Sequence, residues 1–296
     1  MRKLVQVIVH KMRNRKIKRR NRSLGGDIFL MIVLGMFGLF SLYPLVYIVV
    51  NAFKPMSEVF IFPPKLTVDN PTLNNFFDLG AIIEGFDVPF SRYMFNTLFI
   101  TGVGTLGTVL LGAMAAFPLA KYQFPGSKLM SNIIVYSLMF SSAVTAIPNY
   151  FIMSSLNLID SYWAVILPAV GGTLGLYLMK NFIVQVPDEM LEAAKIDGAG
   201  ELKLFFSVVM PLCKPAWITL IILSFQSMWG TTGGVFIYSE ELKPLSYVLS
   251  QIVSSGIART GVSSAVSLIM LVVPVTVFVI SQSNVIETMA TSGMKG

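Results

Sequence analysis

The sequence predicts an all-α membrane protein with six transmembrane helices, a short helix in one cytoplasmic loop, and both termini in the cytoplasm. The first observation is composition, because the 296 residues are 54% apolar and only 12% charged, about half the charged share of a typical soluble domain. The second is the distribution of charge, because six stretches of at least 19 residues carry no charged side chain. These two observations exclude an ordinary soluble enzyme.

The uncharged stretches locate the transmembrane helices. A helix rises about 1.5 Å per residue and the hydrocarbon layer is about 30 Å thick, so a span needs roughly 20 mostly apolar residues. The third and fifth stretches also contain connecting loop. The predicted cores, in chain order, are Phe29 to Val50, Phe95 to Phe117, Leu129 to Ile147, Trp163 to Phe182, Pro215 to Trp229 continuing to about Val235, and Val262 to Ile280.

The basic residues predict the orientation. Residues 1–27 hold ten Lys and Arg against one acidic residue, and the rest of the chain sums to −2. This distribution disfavours a nucleic-acid partner and defines 1–27 as a basic cytoplasmic leader that sets orientation or contacts anionic membrane lipid. Residues 28–296 form one membrane domain, and the uncharged stretch that opens it is longer than a cleaved signal, so it is a retained anchor. Alternate sides of the six spans carry 17 and 5 Lys and Arg, which places both termini in the cytoplasm.

Side-chain chemistry narrows the function. One cysteine, Cys213, and one histidine, His10, leave too few groups for a zinc site or a disulfide framework. The predicted cores contain no Asp, Glu, Lys, Arg or His before Lys180. Ion-driven carriers, by contrast, keep such residues inside the membrane. An intramembrane enzyme or a self-contained carrier therefore lacks the residues that it needs.

Neutral polar and aromatic side chains in the predicted cores suit an uncharged, hydroxyl-rich solute, or they hold the helices together. These side chains are Asn96, Thr97, Thr101, Thr105, Asn132, Tyr136, Ser137, Ser141, Ser142, Thr145, Trp163, Tyr177, Gln226, Ser227 and Trp229. Outside the membrane, residues 53–94 contain five prolines and should be irregular with at most a short helix. The loop from Thr231 to Gly261 should begin irregularly and continue as a short amphipathic segment.

The largest inside loop contains a short predicted helix, from about 188 to 197. Asp188 follows a proline and is a plausible N-cap, and Gly198 can take the left-handed conformation that ends a helix. One face of this helix, with small residues in its centre, suits close contact with a partner surface. That face is formed by Met190, Ala193, Ala194 and Asp197, and Met190 and Leu191 supply apolar anchors. A second helix should follow from Gly200 to about Met210.

This loop resembles the hallmark of the membrane permease subunits of binding-protein-dependent ABC importers. The matching residues are Glu192-Ala193-Ala194, Gly198, Val208, Met210 and Pro211, with Asp197, Ala199 and Pro215 in the longer form seen in carbohydrate importers. Further segments are similar to the maltose-type second permease subunit, and the basic leader with Tyr43-Pro44-Leu45 is similar to the oligosaccharide and polysaccharide branch. These segments are Asn96-Thr97, Ala115 to Tyr122 with Phe124 and Gly126, Ile147 to Tyr150, and Trp163 to Pro168. Trp229-Gly230 departs from the usual Trp-Asn.

The resemblance implies a function and a set of partners. The helix 188–197 would be a coupling helix that docks on a separate ATPase subunit and, joined rigidly to the fifth span, transmits its closure. Its ATPase-coupling residues would be Met190, Leu191, Glu192, Ala193, Ala194, Asp197 and Gly198. Glu192 would position the docked helix, although an ion pair with Lys195 is the alternative. No residue is assigned a catalytic role.

The implied assembly contains a second homologous permease, two ATPase subunits that bind ATP and Mg, and an extracellular solute-binding protein, in a bacterial cell membrane. This chain would need no cofactor, because it lacks a phosphate-binding G-x-x-x-x-G-K-[ST] motif. The implied solute is a carbohydrate, in particular an oligosaccharide, with a different solute for the same importer type as the alternative. The residues that contact it are not assigned.

Overall fold

The computed structural model describes residues 24–85, 88–254, 256 and 259–292, and these residues form α-helices, one π-helical turn and one short 3-10 helix, without strands. Of the predicted basic leader, residues 1–23 lie outside the described part, and residues 24–27 belong to the first helix. The α-helices are α1 (Leu24–Ala52), α2 (Met56–Val59), α3 (Asn74–Glu84), α4 (Phe90–Lys121), α5 (Ser127–Ser137), α6 (Ser142–Ser155), α7 (Trp163–Val170), α8 (Thr173–Val184), α9 (Asp188–Ile196), α10 (Glu201–Leu212), α11 (Lys214–Trp229), α12 (Leu245–Ser254) and α13 (Thr260–Ser292).

Four apolar segments of the described chain are continuous and long enough to cross a membrane. They are α1, α4, the segment Trp163–Val184 that contains α7 and α8, and α13. Two pairs of consecutive helices are also long and apolar enough when each pair is taken together, but the two helices of each pair are bent relative to each other. The angle is 115° between α5 and α6 and 81° between α10 and α11. If each bent pair is one span, the number of spans is the predicted six.

Two predicted spans differ from the observed helices. The third, Leu129 to Ile147, is not one helix, because the chain leaves α5 at Leu138 and Ser141 takes an extended conformation (φ −74°, ψ 153°) before α6 begins. The fifth ends at Trp229 and does not continue to Val235, because Gly233 (φ +79°) and Gly234 (φ +49°) lie in the left-handed region, where no helix can continue.

The loop of residues 53–94, which was predicted to lie outside, contains two helices, α2 and α3, where at most a short one was expected. Asn75 explains the position of α3, since its buried side-chain amide donates hydrogen bonds to the carbonyl oxygens of Asn51 (3.4 Å), Ala52 (2.9 Å) and Lys54 (2.8 Å). Helices end with unpaired carbonyl groups that need donors. Asn75 therefore fixes α3 to the end of α1.

Helix α4 is the centre of the packed bundle. It lies against α7, α8, α11 and α12, and its glycines permit close approach: a Cβ added at Gly112 would lie 3.7 Å from the backbone of Gly175 on α8. Small residues allow membrane helices to pack backbone against backbone. By contrast, α1 packs mainly against α13 and leaves most of its apolar side chains exposed.

Candidate functional site

Helix α9 occupies the predicted position between α8 and α10. It begins at Asp188, but the expected N-cap is wrong, because Pro187 holds that position and the Asp188 carboxylate instead accepts a hydrogen bond from Lys121 Nζ at 2.7 Å. It ends at Gly198 (φ +78°), where the amide of Gly198 donates to the Lys195 carbonyl and that of Ala199 to the Ala194 carbonyl, both at 3.0 Å. This pair of hydrogen bonds is a Schellman motif, which requires a left-handed residue at Gly198.

The two faces of α9 have different surroundings. Leu191 is 6% exposed and packs in the apolar cluster formed with α4, α8 and α10, together with the half-buried Ala194. On the opposite face Met190 is 45% exposed and Ile196 is 87% exposed. The remaining exposed residues of this helix and its end are Asp188, Glu189, Glu192, Ala193, Lys195, Asp197 and Gly198.

The sequence prediction therefore needs three changes. Ala194 was placed on the face that contacts a partner, but it is half-buried and packs against the same core as Leu191. Leu191 was grouped with Met190 as an anchor for a partner, but its side chain faces the core of its own chain. Ile196 was missed, although an isoleucine three residues after Ala193 on a short polar helix is a signal for an exposed apolar face. The remaining predicted face, Met190, Ala193 and Asp197, is exposed as expected.

The last residue of α4 and the residue that follows it hold α9 at its two ends. Lys121, whose side chain is 6% exposed, donates to the carbonyl of Val186 at 2.5 Å as well as to Asp188. Tyr122 donates its hydroxyl to Glu201 at 2.5 Å and accepts from Lys195 Nζ at 3.0 Å. We call Lys121, Tyr122, Asp188, Lys195 and Glu201 the inner clamp.

Electrostatics strengthen the inner clamp. Lys195 Nζ lies 3.1 Å from Glu201 and 4.9 Å from the centre of the Tyr122 ring. The hydrogen bond from Tyr122 holds the pKa of Glu201 below its ordinary value, and the one to Tyr122 raises the pKa of Lys195. Burial, followed by the hydrogen bond to Glu201, raises the pKa of Tyr122. Lys195 thus pairs with Glu201, and the alternative pair with Glu192 is not observed.

The connection from α9 to the fifth predicted span is not one straight helix. Residues Phe205–Val209 form a π-helical turn within α10, and the chain bends by 81° between α10 and α11 at Cys213. A π turn has i→i+5 hydrogen bonds in place of the regular α-helical ladder and is frequent at functional sites. The expectation that α9 is joined rigidly to this span stays a prediction.

At the opposite end of α4, polar side chains bind the loop that follows α11. Asn96 is fully buried, donates to the carbonyls of Glu241 and Lys243 at 2.8 Å, and accepts from the Tyr162 hydroxyl at 2.6 Å. Thr97 accepts from the amide of Leu245 at 2.7 Å. Asn96 and Thr97 therefore hold parts of the chain together. This is the second interpretation of the neutral polar side chains, the first being contact with a solute.

Trp229 has the same role on α11, because its indole donates to the Met270 carbonyl on α13 at 2.9 Å. Thr101 and Thr105, by contrast, are buried with no hydrogen-bond partner in the described part of the chain. A cavity of about 280 Å³ lies beside Thr108 between α4, α8 and α11, and its polar side chains, including Ser224 and Ser227, are neutral. In the residues that the structure describes, no cluster of His, Cys, Asp or Glu could hold a metal ion.

Comparison with known proteins decides the family. Residues 108–289 match the model of the binding-protein-dependent transport system inner membrane component family. The chain belongs to this family. The permease is 33% identical over 234 residues to protein LplC of Bacillus subtilis, covering 76% of this chain and 75% of LplC. It is 30% identical over 246 residues to the polygalacturonan/rhamnogalacturonan transport system permease protein YtcP of the same organism, covering 77% and 80% of the two chains.

The fold of the permease is also known from a solved structure. A bacterial ABC transporter involved in the import of the acidic polysaccharide alginate matches with a TM-score of 0.76 at 23% identity, covering 89% of this chain and 99% of that one. Its family makes the permease a membrane transport component, and its sequence contains no nucleotide-binding motif for ATP hydrolysis.

Proposed function

We propose that the permease is one membrane subunit of an ATP-driven importer and that α9 is its coupling helix, which docks on a separate ATPase subunit. The observation that carries this proposal is the division of α9 into two faces. Leu191 fixes the helix to its own chain, while Met190, Ala193 and Ile196 remain exposed beside acidic side chains. An exposed apolar stripe on a short, well-held helix is typical of helix-in-groove binding.

The individual residues have separate roles in this proposal. Ala193 permits close approach to the groove, and Met190 and Ile196 supply apolar contact. Glu192 has no hydrogen bond or ion pair among the described residues, so its carboxylate is available to a basic group or a backbone amide of the ATPase. Asp197 and Gly198 end the helix and fix its direction, as the Schellman hydrogen bonds indicate.

The membrane arrangement follows from the same geometry. The inner clamp and the loop bound by Asn96 lie at opposite ends of α4, as expected if one end is cytoplasmic and the other external. Counting each bent pair as one span gives six spans, which puts both termini on one side. The excess of Lys and Arg on that side supports a cytoplasmic location for the termini, including the leader.

The proposed assembly has a second homologous permease, two ATPase subunits that bind ATP and Mg, and an external solute-binding protein. A structural relative supports it, since the bacterial alginate ABC transporter is known in complex with a pentasaccharide-bound periplasmic protein and matches this chain with a TM-score of 0.57. The exposed apolar side chains of α1 and α6 would face lipid or the second permease.

The proposed solute is a carbohydrate, and an oligosaccharide in particular. The names of YtcP and of the arabinooligosaccharides transport system permease protein AraQ of Bacillus subtilis, which is 26% identical, support this choice. The alternative is a different solute, because the sn-glycerol-3-phosphate permease UgpE of Yersinia enterocolitica is 28% identical. ATPase stimulation of the assembled complex by its binding protein, loaded with neutral oligosaccharides, oligouronides or sn-glycerol 3-phosphate, separates these solutes.

Substitution of Gly198 by threonine tests the coupling role. A β-branched residue in the left-handed region costs about 1–2 kcal/mol, so Gly198→Thr should misdirect the end of α9 and lower solute-stimulated ATP hydrolysis roughly tenfold. Gly200→Thr is the matched control, because Gly200 lies nearby at φ −71° and a Cβ at either glycine meets no atom within 4 Å. Equal activities of the two variants would refute the coupling role.

A further inference from the structure

Helix α4 is continuous, with Pro118 in its last turn, and has a polar attachment at each end. It has 32 residues and therefore a length of about 48 Å. At its inner end, Lys121 and the adjoining Tyr122 hold both ends of α9. Because Lys121 also donates to the Val186 carbonyl, the segment that leads from α8 into α9 is fixed to the same point. A displacement of α9 is thus transferred directly to α4.

The outer end of α4 holds a second segment in the same way. Arg92 Nε donates to the Glu241 carbonyl at 3.0 Å, and the Tyr93 hydroxyl donates to the Glu240 carboxylate at 2.7 Å. Together with Asn96 and Thr97, these side chains bind the start, middle and end of residues 240–245. We call this set of four residues the outer clamp.

The inner and outer clamps are separated by about 38 Å along α4, from Asn96 to Lys121. Between them, the helix packs closely on its neighbours, so it moves with little internal freedom. A Cβ at Gly107 would lie 2.7 Å from Val170 on α7, and Gly112 lies against the backbone of α8. Interiors packed at this density transmit displacement rather than absorb it.

Two of the other routes through the bundle contain sharp bends, whereas the fourth span, Trp163–Val184, is continuous and leads directly into α9. The chain through α10 and α11 contains a π turn and an 81° bend, and α5 meets α6 at 115°. In the described part of the chain, α4 is the unbroken helix whose side chains hold both α9 and the 240–245 segment.

We propose that α4 transmits movement of the coupling helix to the external loop, with Lys121 and Tyr122 as positioning residues at the inner end and Asn96 at the outer end. The inference rests on the proposed function, since it assumes that α9 docks on an ATPase and that residues 240–245 face the binding protein. It assigns the transmission to the second span rather than to the fifth, to which α9 is directly connected in sequence. A state of the ATPase dimer would then alter the external loop through one rigid helix.

Two variants test the transmission in the assembled complex in lipid nanodiscs. Tyr122→Phe keeps the ring but removes the hydroxyl that bonds both Lys195 and Glu201, whose direct ion pair remains. Asn96→Ala removes the hydrogen bonds to residues 241 and 243 and the one from Tyr162. We expect each to lower binding-protein stimulation of ATP hydrolysis about fivefold in a complex that still assembles. Tyr47→Phe and Asn181→Ala are the matched controls, because neither side chain makes a hydrogen bond in the described structure and both should retain full stimulation.

Combining Tyr122→Phe with Asn96→Ala distinguishes transmission through α4 from two separate local effects on the stimulation of ATP hydrolysis. Two sites about 38 Å apart with independent effects should lose activity multiplicatively. If both act in series through α4, the double variant retains clearly more stimulation than the product of the two single values. Multiplicative loss, or full activity of both single variants, overturns the inference.

Two further variants keep the result interpretable. If Asn96→Ala does not assemble, Tyr162→Phe replaces it, because it removes one hydrogen bond to Asn96 and leaves the others. Reversal of the ion pair, Lys195→Glu with Glu201→Lys, should restore part of the stimulation lost by either single reversal. Failure of Gly198→Thr to uncouple the complex refutes the proposed function itself, whereas uncoupling by Gly198→Thr with normal Tyr122→Phe and Asn96→Ala refutes only the role of α4.

Discussion

Asp160 binds the loop that follows α11 at residues 238 and 239, just before the segment held by the outer clamp. Its carboxylate accepts hydrogen bonds from the amides of Tyr238 (2.9 Å) and Ser239 (2.8 Å) and from the Ser239 hydroxyl, and its own amide donates to the Phe236 carbonyl at 2.8 Å. The hydroxyl and amide of Ser239 hold the pKa of Asp160 below its ordinary value. The charged form is therefore the one that binds the loop.

This geometry predicts a pH dependence at the loop. Because the pKa is lower in the folded state, the contribution of Asp160 is complete above the ordinary Asp pKa of about 3.9 and is lost as the pH falls through the lower folded value. Hydrogen exchange of the amides at 238 and 239, corrected for intrinsic rates, should show constant protection above about pH 5 and a loss below about pH 4.

The matched variant is Asp160→Asn, since asparagine tolerates the left-handed conformation observed at this residue (φ 61°). It retains one acceptor without the charge, so protection should be lower and nearly independent of pH. A variant whose pH profile equals that of the wild type would assign the acid sensitivity to another group.

At the level of single helices, the sequence predicts what depends on local interactions. Helix α9 follows from the position of Gly198 and the periodicity of its side chains, and it is observed within one residue of the predicted end. The break at Leu138–Ser141 could not be predicted, because no charge or proline marks it in a run of neutral residues. The position of α3 depends on Asn75 and the end of α1, a contact between segments more than 20 residues apart.

In the candidate coupling site too, the sequence predicts local features but not contacts between distant segments. Glu192, Ala193 and Gly198 could be assigned from their spacing within one loop. The partners of Lys195 could not, because Tyr122 lies 73 residues away in the sequence. A charged residue on a helix is first compared with its neighbours three or four positions away, and here a tertiary contact replaces the local pair.

Helix α4 provides a stability prediction of its own. Gly107→Ala should place a methyl group 2.7 Å from a Val170 methyl and destabilise the permease by about 1–3 kcal/mol. Gly102→Ala, on the same helix with no atom within 4 Å of the added Cβ, should leave stability unchanged or raise it slightly. Thermal unfolding in detergent, followed by tryptophan fluorescence, compares the two, and equal midpoints would show that α4 and α7 do not pack this closely.

For the whole molecule, the distribution of charge along the sequence predicts the orientation and the number of spans. The formal charge of +7 resolves into a leader of +9 and a membrane domain of −2, so the basic residues predict orientation rather than an anionic macromolecular partner. The apolar stretches give the span count, but length alone cannot distinguish a straight span from a bent pair, as α5 with α6 and α10 with α11 demonstrate.

The orientation can be tested with single cysteines, because the native Cys213 is 1% exposed and should give little background labelling. Gln123→Cys lies beside the inner clamp, and Val235→Cys lies in the external loop at a side chain that is 57% exposed. In right-side-out membrane vesicles, a membrane-impermeant maleimide should label Val235→Cys at once and Gln123→Cys only after permeabilisation. The reverse pattern would place both termini outside and would contradict the docking of α9 on a cytoplasmic ATPase, whereas labelling of both without permeabilisation would mean that the number of spans between them is even.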